Sequence, residues 1–296
     1  MRARTVGVGR SALSLGVAVC LLGTAMTRSA RADPAKPSAR LKEGQHFRID
    51  PVVDGVLIAG GVSFSFLLAE VLSTGEIQPT PPGSPDNLLA IDRGAITQTI
   101  DPHAGTLSTV GLGVAIGYAV LDPILSGIRG NRNALIVDAV MYAESITLTE
   151  ALTSATKIAV RRPRPRDYSE CGPTAVPGSC TSTDLQLSFF SAHSAVTAAV
   201  AGTASYLAFM RSPRSLRAWL TLGAGAALTA FVSYERVRSG QHFPTDVIMG
   251  SMAGGGVGIL VPHLHRADTE PPVVWIGFSP APEQAGGGEL VLSGRF

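Results

Sequence analysis

Three short stretches of the chain concentrate residues able to do acid–base or nucleophilic chemistry. The first is Lys157-Ile-Ala-Val-Arg-Arg-Pro-Arg164-Pro165, a lysine followed after six residues by Arg-Pro. Alone it is a basic helix end, cations answering the negative pole of the helix dipole. The second, Phe190-Ser191-Ala192-His193-Ser194, sets a small polar residue and a histidine at the start of an Ala-rich segment. Helix starts offer free N–H groups and a positive dipole end, both suited to an anionic oxygen, although a serine N-cap beside a histidine is the plainer account. The third, Glu235-Arg236-Val-Arg238-Ser-Gly-Gln-His242-Phe-Pro244-Thr-Asp246, places His242 and Asp246 four residues apart. The carboxylate can then reach one imidazole nitrogen and leave the other free. Two of the chain's six histidines, an orienting acid and three cations at helix ends together describe phosphoryl transfer.

Such residues need elements to hold them. Six apolar segments, roughly 52–73, 107–126, 134–160, 191–210, 214–234 and 244–262, read as helices, separated by stretches carrying Pro, Gly, Asn and Asp. Residues 33–50 read as a polar linker, and 74–106 and 161–190 are loops long enough to imply a function. After Arg266, VVWIGFSP and GELVLSGRF alternate around a Gly-rich turn and predict a hairpin or tail over 267–296. The expectation is an all-α six-helix bundle with a short C-terminal β-hairpin.

The first 32 residues have the form of an export signal: Arg2, Arg4 and Arg10, then an apolar stretch over 11–26, then Ala30-Arg31-Ala32 before Asp33. Cleavage there removes five arginines and no acid, turning a formal net charge of +2 into −3. A nucleic-acid surface then loses its support. Of three cysteines, Cys20 lies in the signal, leaving Cys171 and Cys180 in the second loop. In an oxidising compartment these pair as a disulfide, the alternative being two free thiols.

Whether the helices cross a bilayer is open from sequence. Their charge-free cores run to about 15 residues, at the short end for a span. Asp138, Glu144 and Glu150 fall on different sides of the third helix, so it belongs inside a bundle or in water. Arg129, Arg132, Arg211, Arg214 and Arg217 sit in the loops after the second and fourth helices, which the positive-inside rule places in the cytoplasm. That arrangement starts the first helix in the cytoplasm, whereas a cleaved signal delivers it outside, and the two expectations conflict. His263 and His265, with no nearby acid or cysteine in sequence, read as a solvated helix end rather than a metal site.

In combination, the three stretches resemble the type 2 phosphatidic acid phosphatase and vanadium haloperoxidase superfamily, whose pattern is Lys-x6-Arg-Pro, then Pro-Ser-Gly-His, then Ser-Arg-x5-His-x3-Asp. Lys157 to Pro165 and Arg236-x5-His242-x3-Asp246 match in spacing; Phe190 and Ala192 replace the flanking Pro and Gly, and Glu235 replaces the Ser. Ala192 can still offer its N–H if its φ is negative, and Glu235 can pair with an arginine. The resemblance implies a helical phosphatase domain over 51–266, needing no metal or other cofactor, that hydrolyses a phosphomonoester or pyrophosphate, in particular a phosphorylated lipid. It implies His242 as nucleophile, Asp246 as its support and His193 as proton carrier. Lys157, Arg164, Arg236, Ser191 and Ala192 would hold phosphate. The alternatives are a vanadate-loaded haloperoxidase using the same pocket, and a soluble periplasmic acid phosphatase. Export implies a cell-envelope location, in a bacterial-type inner membrane with the site facing the periplasm or free in the periplasm.

Overall fold

The computed structural model describes residues 47–74, 82–129, 132–171 and 187–267, with Leu72 and Glu170 as backbone, and 273–280 and 288–295 as backbone. The export signal, most of the linker and Cys180 lie outside the described residues. Eight α-helices form among them rather than six: α1 Pro51–Ser73, α2 Ala90–Arg93, α3 Ala104–Ile128, α4 Arg132–Val160, α5 Asp167–Glu170, α6 Ala192–Arg211, α7 Leu216–Arg238 and α8 Pro244–Leu264. The two extra helices, α2 and α5, are single turns inside the two long loops. Strands β1 (Val273–Pro280) and β2 (Gly288–Arg295) pair antiparallel, Val273 opposite Arg295.

Local chemistry sets the helix starts. Asp50 accepts from the N–H groups of Val52 and Val53 at the head of α1, Ser215 accepts from Ala218 on α7, and Pro51 and Pro244 occupy first-turn positions that need no donor. Residues 47–50, at the end of the expected linker, join the bundle: Phe47 is buried and bridges to Arg266.

The bundle is organised around α6, whose Ala-rich surface is buried along most of its length. Packing is closest against α8. A Cβ on Gly254 would lie 1.8 Å from the Ala195 carbonyl oxygen, and one on Gly258 2.1 Å from that of Ala199. Only glycine at four-residue spacing lets the two backbones approach this far, as in small-residue seams between membrane helices. The seam holds the starts of α6 and α8, and therefore His193 and His242, side by side. Further along, Met141, Tyr142, Val200, Ala204 and Leu207 form an apolar core.

Asp138 and Glu144 of α4 are buried, so this helix faces the bundle interior. α1, α3, α7 and α8 are long and apolar enough to cross a membrane. They expose large side chains such as Val56, Phe66, Val114, Trp219 and Met252.

Candidate active site

Each element delivers its reactive residue at the same end of the bundle. Lys157 is in the last turn of α4, Arg236 in the last turn of α7, and Ser191, Ala192 and His193 begin α6; His242 immediately precedes α8 and Asp246 lies in its first turn. Arg164 follows α4 and is buried. The turn from α7 into His242 passes through Gly240, whose φ of +66° belongs to the left-handed region that glycine tolerates best. A Cβ there would also press Ile100 at 3.0 Å.

His242 is 1% exposed. Its Nδ1 lies 2.6 Å from the Ser188 carbonyl, which can only accept, so Nδ1 carries the hydrogen and Nε2 of the neutral ring holds the lone pair. This modifies the sequence expectation for Asp246. Its Oδ2 stands 3.9 Å from Nδ1, too far for a hydrogen bond, and acts on the ring as a charge. The same oxygen accepts from the Ser188 hydroxyl at 2.5 Å and the Phe243 N–H at 2.9 Å. Asp246 thereby fixes the segment whose carbonyl fixes the imidazole.

Burial, then the charges of Arg236, Arg164 and Lys157, push His242 down to about 3, against the opposing pull of Asp246. Burial followed by Arg236, Lys157 and Arg164 likewise brings His193 to about 4. The same three cations therefore act on both rings, and all five residues converge.

His193 Nε2 is 3.3 Å from Thr109 Oγ1, whose own hydrogen goes to the Gly105 carbonyl at 3.0 Å. The threonine oxygen then accepts from Nε2–H, and Nδ1 holds the lone pair of the neutral ring. Ser191 caps α6, its Oγ accepting from the Ser194 N–H at 3.4 Å. Ala192 opens the helix, and Arg161 alone among the described non-glycine residues has a positive φ, so Ala192 keeps the geometry its N–H needs. Glu235 is buried with Oε1 3.7 Å from Arg238, so the carboxylate pairs with that arginine.

A second ring of residues had no local signal. Arg162 donates to Asp246 Oδ1 at 2.5 Å, to Thr245 Oγ1 at 2.7 Å and to Asp92 Oδ2 at 2.7 Å, and lies 4.0 Å over the Phe243 ring. Asp92, on α2, also accepts from the Thr245 N–H and hydroxyl. Gln241 accepts from Arg164. The long first loop is thus tied to the site through one fully buried carboxylate; its length hinted at a function, but nothing in its sequence singled out Asp92. Cys171 is disulfide-bonded, while its expected partner Cys180 lies outside the described residues.

Comparison with known proteins gives three findings. The crystal structure of a transmembrane PAP2 type phosphatidylglycerolphosphate phosphatase from Bacillus subtilis is similar with a TM-score of 0.42 and 20% identity, over 70% of this chain and 94% of that one. No curated protein matches the chain. The model of the PAP2 superfamily matches residues 138–270, from Asp138 of α4 past the end of α8, the segment that holds both histidines.

Proposed function

We propose that this protein is a membrane phosphatase that hydrolyses a lipid phosphomonoester or pyrophosphate without a metal, through a phosphohistidine. The convergence of Lys157, Arg164 and Arg236 on two neutral histidines carries this reading. His242 Nε2, unprotonated and oriented by the Ser188 carbonyl, attacks phosphorus as the bond to the leaving oxygen breaks. The Asp246 charge offsets the positive charge that develops on the ring. His193 takes up a proton as the anionic substrate offsets the three cations, gives it to the leaving oxygen, then takes one from the water that breaks the P–N bond. The three cations, with Ser191 and the Ala192 N–H, stabilise the equatorial oxygens.

A phosphorylated lipid suits the surroundings. Among the described residues, four helices are long and apolar enough to span a membrane. A mostly apolar cleft of about 690 Å³ runs between α6, α7 and α8, lined by Ala198, Ala230, Val247 and Met252 among others. Val247 adjoins Asp246, so an acyl chain in the cleft would bring its head group toward the histidines. The basic loops after α3 and α6 lie at the opposite end of the bundle, so cytoplasmic placement of those loops turns the site to the external, periplasmic face. Phosphate release from a lipid phosphate in detergent micelles tests the proposal. Turnover should persist in EDTA and vanish in His242→Ala; turnover retained in that variant overturns it.

A further inference from the structure

We infer that Asp54, Glu144 and His265 form a structural site for a divalent transition-metal ion at the end of the bundle away from the histidines. The three residues come from α1, α4 and the end of α8, and Glu144 is thirteen residues from Lys157 along α4, about 20 Å at about 1.5 Å per residue. His265 was expected to be solvated, with no acid near; folding instead brings two acids to it from distant parts of the chain. Its side chain is 13% exposed, and Asp54 and Glu144 are 4% and 2% exposed.

The hydrogen-bond arithmetic argues for a cation. His265 Nδ1 lies 2.8 Å from the Val261 carbonyl, an obligate acceptor, so Nδ1 carries the hydrogen. In the neutral ring Nε2 is then a lone pair, and it faces Asp54 Oδ1 at 3.2 Å and Glu144 Oε2 at 3.4 Å. Three electron-pair donors point at one another, all within 4.8 Å. Glu144 Oε2 is buried and makes no hydrogen bond among the described residues. The other oxygen of Asp54 is committed to the Asp50 N–H at 2.9 Å, leaving Oδ1 to face inward. An imidazolium would satisfy the contacts but leave a net negative charge in a buried triad. A divalent ion balances both carboxylates and accepts all three donors.

One imidazole nitrogen with two carboxylate oxygens suits zinc or a neighbouring first-row ion, with water completing the shell. The Val261 carbonyl fixes the tautomer from behind, as outer-shell acceptors do for metal-bound histidines. The ion would clamp α1, whose buried described residues are Asp54 and Gly61, onto α4 and α8.

The test uses the full untagged chain in detergent, loaded with Zn²⁺ and freed of excess. We expect about one zinc per chain, falling at least tenfold in Glu144→Gln and in His265→Gln, and a melting temperature that EDTA lowers in the parent but not in the variants. The parent measurement stands even if a variant misfolds. Absence of retained zinc in the parent, or equal retention in parent and a folded Glu144→Gln, overturns the proposal and leaves an imidazolium–carboxylate clasp.

Discussion

The two ends of the bundle use the same charged residue types in opposite ways. At the end away from the histidines, Arg211 clamps Asp138 with both guanidinium nitrogens, and Arg217 holds Asp122 at 2.6 Å while Tyr142 donates to the same carboxylate. Both of these arginines answer a buried acid and tie two helices together. At the site end, Lys157, Arg164 and Arg236 act together on two histidines, and both rings are driven toward neutrality. Arg162 and Arg238 behave differently at that end, since Arg162 is spent on Asp246 and Asp92, and Arg238 on Asp101 and Glu235, in the manner of the far-end pairs. Charge that pairs carboxylates across helices builds structure, whereas the charge acting on the two histidines keeps both rings neutral.

This contrast can be broken by substitution. His193→Ala should cut turnover by about 10²- to 10⁴-fold with little loss of stability, as expected for a proton carrier. In the parent, kcat/KM should fall as pH rises, because the free site needs a protonated His193 and that ring titrates near about 4. The limb should disappear in the variant. Stability runs the other way. Both rings are neutral when folded and titrate near 6.5 when unfolded, so stability is whole above about 6.5 and declines as pH drops toward about 4 and then about 3.

Arg211→Met, at the other end, should leave Asp138 buried without its partner and cost about 3 kcal/mol in denaturant unfolding, while kcat per folded molecule stays unchanged. Gly254→Ala couples the two behaviours. It forces the α6–α8 seam apart, costing about 1–3 kcal/mol and lowering kcat because both histidines ride on that seam. Arg217→Met should do least. Its side chain is 46% exposed, so the pair contributes about 1 kcal/mol or less, and turnover should not change.

The residues at the centre of the site were legible because helix ends impose fixed spacings, and His242 with Asp246, or Lys157 with Arg164, carry those spacings in the chain itself. Asp92, Ser188 and Thr109 left no such trace. They reach the histidines or their supports from segments far away in sequence, and only folding makes them neighbours. Asp246 shows the limit in finer detail: four residues from His242 suggested a direct bond, but a backbone carbonyl from the other side of the site takes that place. Arg162 sits in a run of arginines where sequence cannot tell the one that binds Asp246 from those facing the site. The same limit hid the cluster at His265, whose acids come from helices roughly 120 and 210 residues earlier.

The central claim is that His242 takes the phosphoryl group onto its own ring. Rapid acid-free quenching of the protein during turnover of a phosphorylated lipid, followed by peptide mapping under alkaline conditions, tests it directly. The account predicts an acid-labile, base-stable phosphate on His242 that accumulates when His193→Ala slows the water step and is absent from His242→Ala. Steady turnover with no phosphate on that ring, or the same modification in the His242→Ala protein, would contradict it.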